Sequence, residues 1–364
     1  MTMVCMSLLC ACTQAPSLSL SGLNPGNFKA EKDGQETALF ILKNSQGMEV
    51  CVTNFGARVV SIMVPDKADT LRDVVLGFDN VNDYMQIPSD FGASIGRYAN
   101  RIAQGCFTLD GTVYNLPKNN FGHCLHGGPN GWQYKIYEVE KVTDNSITLV
   151  RNSPDRDESF PGNVTAKVTF TVTTDNALEI VYEAATDKPT VINMTNHSYF
   201  NLSGDPANSI LDHVLYVNAQ YYTPVGRTLI PTGEMFPVAG TPMDYTTPKV
   251  IGKDIDSTGY EQILFGNGYD HNWVLDTKGD MGTAAATLFS PGSGIKMDVY
   301  TDEPGIQVYS GNFLDGTVTG KKGIVYQKRA AVCLETQHYP DSRHYKINCV
   351  NDNAKEKSIV KFKG

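Results

Sequence analysis

The chain is predicted to be all-β, a large sandwich or barrel of short antiparallel strands, on three observations. From about Ala38 onward the dominant hydrophobic period is two, glycine-containing turn dipeptides recur between the alternating runs, and no stretch sustains a 3.6-residue period. Composition agrees. Hydrophobic residues make up 41% of 364, enough for a sizeable core, and 33 glycines, 18 tyrosines and 15 phenylalanines suit a turn-rich sheet protein with a surface for stacking a ligand.

The first 27 residues stand apart. Val4 to Ala11 is an apolar run too short to span a bilayer. Leu9-Cys10-Ala11-Cys12 resembles a bacterial lipobox. On that reading Cys12 becomes the lipidated first residue of a periplasmic or membrane-anchored lipoprotein, and Thr13 to Asn27 is a flexible tether. No Lys or Arg precedes the run, which counts against an export signal, and the alternative is a disordered leader on a cytoplasmic enzyme; the order of apolar run then small residues favours export. The β domain is therefore placed at 28–364.

Within it, Val164–Val172 is the clearest strand. Val, Ala, Val, Phe and Val fall on one face and Thr, Lys, Thr and Thr on the other, the mark of a half-buried antiparallel strand. Similar runs are read at Met48–Thr53, Arg58–Val64, Ile136–Val142, Ser146–Arg151, Leu178–Ala184, His213–Val217, Ile295–Thr301, Gly305–Ser310 and Ala331–Glu335. Asp110-Gly111, Pro161-Gly162, Thr232-Gly233, Pro291-Gly292 and Pro304-Gly305 punctuate them. Short helices are expected only at Asn80–Met85 and in parts of Pro248–Phe265. No repeat or linker follows residue 27, so one domain is expected.

Charge narrows the partners. A net charge of -9, with no basic run longer than Lys321-Lys322, disfavours nucleic acid and anionic membrane surfaces. No run is long enough for a transmembrane segment, and a monomer is expected. Of the eight cysteines, Cys5, Cys10 and Cys12 cluster at the start, and Cys51, Cys106, Cys124, Cys333 and Cys349 are dispersed without a CxxC pair. Neither a metal site nor a disulfide framework is indicated, and the dispersed five read as small buried hydrophobes.

Five stretches read as parts of one pocket: Gly96–Ile102, Leu125–Gly128, Asn196–Leu202, Tyr269–Trp273 and Leu334–Gln337. Each sets a charged or imidazole side chain beside Gly, Asn or an aromatic residue, mostly at strand ends, where a sheet can hold loop side chains. His197, among small polar and aromatic residues, has the type for general acid–base work, although a backbone-satisfied core histidine reads the same way. His126 precedes Gly127-Gly128, where backbone can approach a ligand closely. Glu335 ends an apolar strand; if buried, its pKa rises and it becomes a stronger base, and if not, it simply reaches solvent. Asp270 accepts hydroxyl hydrogen bonds or caps a turn. Asn100-Arg101 lies in a Gly- and Tyr-rich loop, where the guanidinium grips oxygen or forms a surface salt bridge. Tyr199, Phe200, Trp273, Phe313 and Tyr339 are candidates for stacking on a sugar face. Cys124, between His123 and His126, reads as an idle thiol.

With these motifs in order, the chain resembles the aldose 1-epimerases (galactose mutarotases) from about residue 38 to the C-terminus. Ser153-Pro154-Asp155, Phe160-Pro161-Gly162, Thr186–Thr190, Pro231–Glu234, Thr241–Asp244 and Glu303-Pro304-Gly305-Ile306-Gln307 also look like the family's. The resemblance implies a galactose mutarotase-like β-supersandwich with an open sugar cleft. It implies Glu335 as general base and His197 as general acid, with Asn100, Arg101, His126, Asp270 and Gln307 holding the sugar. The sequence departs from the family at Gly131-Trp132-Gln133 and Ser342-Arg343-His344, which are expected at the cleft rim. The implied reaction interconverts the anomers of a free aldohexose such as glucose or galactose and requires no cofactor; a structural calcium ion is compatible with so many carboxylates. The rival readings are a non-catalytic sugar-binding protein of the same fold, a hexose-6-phosphate epimerase and a two-carboxylate glycosidase.

Overall fold

The computed structural model describes residues 17–342 and 353–363. The leader features at Val4–Cys12 lie outside the described residues. Three antiparallel sheets dominate. The largest has nine strands, in spatial order Glu138–Val142, Ser146–Ser153, Val164–Val172, Ala177–Thr186, Asn353–Lys363, Lys296–Thr301, Ala286–Phe289, Val214–Val217 and Lys249–Val250. A six-stranded sheet runs Tyr199–Phe200, Val332–Gln337, Gly305–Tyr309, Asp270–Val274, Tyr221–Thr223 and Phe236–Pro237. A four-stranded sheet runs Leu39–Lys43, Glu49–Thr53, Arg58–Pro65 and Leu71–Asp73.

Period-two sequence explains how they stack. Val164, Ala166, Val168, Phe170 and Val172 are buried while the residues between them are not. They join one apolar cluster with Val50 and Ile62 of the four-stranded sheet and Ile306, Val308 and Leu334 of the six-stranded sheet. The six- and nine-stranded sheets also touch through a hydroxyl pair, Thr336 Oγ1 to Ser358 Oγ at 2.6 Å. Asp110 (φ 49°) and Gly111 (φ 77°) form the tight hairpin that their identities predict. Val81–Gln86 and Glu261–Gly266 are the α-helices of the described residues, each overlapping one of the two regions expected and running one residue past its end. None of these helices is long and apolar enough to cross a membrane.

Two boundaries differ from the sequence reading. The packed domain begins before residue 28: Leu23 and Phe28 are buried in a cluster with Leu39, Cys51 and Val60, and the Leu20 N–H donates to Glu49 Oε1 at 2.6 Å. A tether reaching Asn27 is thus corrected; two large apolar side chains one short 3-10 turn apart, Pro25–Phe28, find cover on the domain. The strand Asn353–Lys363, in the middle of the largest sheet, was not among the expected runs. Of its inward positions, 356 and 358 are Glu and Ser, so the hydrophobic alternation is broken where the strand is most needed.

Candidate active site

One face of the six-stranded sheet carries the chemistry. Antiparallel pairing sets Asn272, Gln307 and Glu335 side by side in one row, and Asp270, Tyr309 and Cys333 in the next. Side chains in a row share a face, so Glu335, Gln307 and Asp270 all project to the same side. His197 ends the short strand Thr195–His197, which pairs with Ala93–Ile95. The strand Arg101–Ile102 pairs with Cys124–Leu125, which places His126 beside Asn100 and Arg101. Side chains from seven separate stretches of chain thus converge on an open cavity of about 240 Å³.

Glu335 and His197 face each other across this cavity, Oε1 to Nε2 at 3.5 Å. Both side chains are buried, yet Glu335 Oε2 and His197 Nδ1 receive no hydrogen bond from the protein. Burial raises the Glu335 carboxyl to about 7, with His197 opposing the rise and Asp270 and Asp90 adding to it. His126 responds to the same burial in the opposite sense, and its pKa falls to about 3. It is therefore neutral. Its Nδ1 accepts the Asn100 N–H at 3.1 Å, so the proton sits on Nε2, free to donate. Arg101 is buried, not a surface salt bridge. Its Nε donates to Asn120 Oδ1 at 3.0 Å and its NH2 lies 3.8 Å from Asp270 Oδ2. Gln307 Nε2 donates to Asp270 Oδ1 at 2.7 Å. The Asp270 carboxylate is thus aimed by two neighbours.

The walls are aromatic. The His197 ring stacks on Tyr199 with centroids 5.0 Å apart, and Tyr309 meets Tyr199 edge-on at 6.0 Å. Phe121 and Phe313 stand half-exposed at the cavity mouth. Two sets of potential metal-ligating atoms occur here, Asp90–His126–His197 and His197–Cys333–Glu335. Both need the His197 imidazole, the second needs Glu335 as well, and burial holds the Cys333 thiol well above its ordinary range. An ion bound there would occupy the groups that acid–base chemistry requires.

The family model for aldose 1-epimerase matches residues 38–360. The chain belongs to the aldose 1-epimerase family. It is 42% identical over 303 residues to the galactose mutarotase of Sus scrofa, covering 83% of this chain and 86% of that one. It is 36% identical over 313 residues to the aldose 1-epimerase of Escherichia coli K12, covering 86% and 89%. Among solved structures, an aldose epimerase homologue from C. elegans superposes with a TM-score of 0.83 at 28% identity, covering 90% of this chain and 99% of that one. A galactose 1-epimerase from Lactobacillus acidophilus gives 0.80 at 28%, covering 92% and 97%. The supersandwich expected from the motifs is the fold of this family member.

Of the seven site residues expected from sequence, Glu335, His197, His126, Asn100, Arg101 and Asp270 line the epimerase cavity. Gln307 is a neighbour of Glu335 in register but is not among the lining residues; its Nε2 donates to Asp270. Among the expected stacking residues, Tyr199 and Phe313 line the cavity. Trp273 and Phe200 belong to the apolar core, and Trp273 Nε1 donates to Met243 O at 3.1 Å. Tyr339 lies against Gly305. The departure at Trp132 is also internal rather than at the rim: its ring covers Gly96. Ser342 is buried and bonds Tyr98, while Arg343 and His344 lie outside the described residues. Burial pushes the Cys124 thiol up to about 12, which keeps it inert. Sequence reasoning missed Asp90, Phe121, Asn120 and Tyr309. Asp90 carried no local signal. It is placed by the buried Arg58, whose guanidinium bonds the carbonyls of Ser89 and Phe91 on either side of it.

Proposed function

We propose that the protein interconverts the α and β anomers of a free aldohexose such as galactose or glucose by acid–base ring opening and reclosure. The observation that carries this reading is the Glu335–His197 pair, unbonded on its free atoms and converging at 3.5 Å on one sugar-sized cavity. The hemiacetal presents its C1 hydroxyl and its ring oxygen on one carbon, so two groups this close reach both. Glu335 takes the hydroxyl proton while protonated His197 gives one to the ring oxygen. The C1–O5 bond breaks with its electron pair going to that oxygen. The aldehyde turns about C1–C2, and closure on its other face reverses both transfers. Proton count is conserved, and each group contributes on the order of 10²–10⁴-fold.

The other residues orient the sugar. His126 Nε2–H and the Arg101 guanidinium supply donors, Asp270 accepts from distal hydroxyls, and the half-exposed Phe121 and Phe313 offer apolar faces to the ring. Arg101 is the cationic residue of the cavity lining, and it is engaged with Asp270 and Asn120. That supports an unphosphorylated sugar. The test is polarimetry on freshly dissolved α-galactose and α-glucose. Glu335→Gln is expected to slow enzymatic mutarotation by at least about 100-fold while galactose still binds in calorimetry. Near-normal turnover in that variant removes Glu335 as the base.

A further inference from the structure

A second convergence of ionisable side chains lies away from the sugar cavity, where the C-terminal strand meets the hairpin leading into Gly305–Tyr309. Lys296–Thr301 pairs with Asn353–Lys363, Thr301 opposite Ser358. Carried two residues further, the same register sets Glu303 opposite Glu356. Like charges directly opposite on neighbouring strands repel, and here both carboxylates are removed from water. His338 follows the strand Val332–Gln337 and comes in from the facing sheet. Its Nδ1 lies 3.1 Å from Glu303 Oε2 and 3.5 Å from Glu356 Oε1.

These close approaches are not hydrogen bonds. Glu303 is 3% exposed, yet among the described residues no amide, hydroxyl or imidazole donor satisfies either of its carboxylate oxygens, nor Glu356 Oε2, and His338 Nδ1 is likewise without a hydrogen bond; the one partner in reach of the Glu303 carboxyl is that of Glu356. The donor atoms lie within 4.8 Å of one another. Oxygen and nitrogen ligands of a tetrahedral zinc ion, at about 2.0–2.2 Å from the metal, stand roughly 3.3 Å apart. The two measured separations bracket that value. The supports are rigid as well. The His338 N–H donates to Asn193 Oδ1 at 3.0 Å, the Glu303 N–H to Thr301 Oγ1 at 3.1 Å, and the Lys357 N–H to Asp302 Oδ1 at 2.7 Å.

We propose that Glu303, His338 and Glu356 bind one divalent transition-metal ion of the zinc class, fastening the C-terminal strand to the end of the catalytic sheet. Two ionised carboxylates balance a dication, with the His338 imidazole as the third ligand, and the bound ion takes the place of the proton that burial favours on the carboxyl pair. An imidazole donor suits zinc, whereas calcium takes six to eight oxygens. The site is separate from the sugar cavity and does not depend on the activity proposed above. The test uses the full chain, freed of metal with a chelator and titrated with ZnCl2, MnCl2 and CaCl2 by calorimetry. One zinc per chain is expected, with affinity reduced more than about 100-fold in Glu356→Gln and His338→Asn. Zinc should raise the melting temperature of the unsubstituted chain but not of Glu356→Gln. Glu335→Gln should keep the zinc isotherm. The proposal is overturned by the absence of saturable zinc binding, by unchanged affinity in Glu356→Gln, by tighter binding of calcium, or by loss of zinc in Glu335→Gln, which would move the ion to the sugar cavity. It is equally overturned if Glu356→Gln melts higher than the unsubstituted chain whatever the metal, since the carboxyls would then simply share a proton.

Discussion

At the residue scale, burial does opposite things to Glu335 and His126, and the proposed reaction uses both. Desolvation disfavours whichever form is charged, so the carboxyl rises to about 7 and the imidazole falls to about 3. Near neutrality Glu335 is a base poised to exchange a proton, and His126 is an uncharged donor. The sign of the pH dependence follows. Only the carboxylate form of Glu335 can take the C1 hydroxyl proton, so activity is lost on acidification, through the raised pKa rather than the ordinary one of 4.5. We expect kcat/KM to bend near pH 7 and to fall about tenfold per pH unit below it, read from initial mutarotation rates in buffers of matched ionic strength. A midpoint close to 4.5 would show that Glu335 is hydrated in the free enzyme. Glu335 and His197 were legible in sequence because a carboxylate ending an apolar strand and a histidine beside Asn, Ser and aromatics are odd enough to need a reason. Asp90 was not, because its position depends on Arg58, from a strand some thirty residues earlier.

At the element scale, the loop carrying His126 is seated by contact with bare backbone. Gly127 has φ 79°, and a Cβ there would lie 2.2 Å from Gly96 O and 2.7 Å from Arg97 N. Arg97 cannot yield, because its guanidinium is spent on Ser153, Pro161 and Gly162 from the neighbouring strand ends. This gives a structural role to the Ser153-Pro154-Asp155 and Phe160-Pro161-Gly162 motifs. Gly127→Ala should therefore displace His126, raise the KM for galactose and lower the melting temperature. Gly111→Ala is the control: its φ of 77° is equally unfavourable, but a Cβ there meets no neighbour within 4 Å. The control should cost about 1–2 kcal/mol of stability and leave KM alone. Equal KM values in the two variants would show that the loop tolerates the extra methyl. Strands whose inward positions are all apolar, such as Val164–Val172, were readable residue by residue. Asn353–Lys363 was not, because two inward positions are spent on Glu356 and Ser358, one in the carboxylate cluster and the other bonded to Thr336.

At the scale of the whole molecule, the catalytic face is backed by apolar clusters assembled from distant parts of the chain, and the segment ending at Phe28 is one of those parts. Phe28 is fully buried, in a cluster with Val60 and Phe91. Phe91 meets Tyr199 edge-on at 4.8 Å, and Tyr199 is the ring on which His197 stacks. The same apolar cluster therefore supports one wall of the sugar cavity from behind. Removing the Phe28 ring deletes buried apolar surface and leaves a void that surrounding backbone fills only in part, at a cost of about 3–5 kcal/mol for a Phe→Ala change. Phe28→Ala is expected to melt well below the unsubstituted chain. Its kcat/KM, measured far below that melting temperature, should stay within about twofold, because Phe28 is not among the residues that line the sugar cavity and reaches His197 only through Phe91 and Tyr199. A variant that melts with the unsubstituted protein would mean that the segment from Leu23 to Phe28 rests on the domain without supporting it. A large loss of kcat/KM at unchanged secondary structure would mean that the void propagates through Phe91 to the His197–Tyr199 stack.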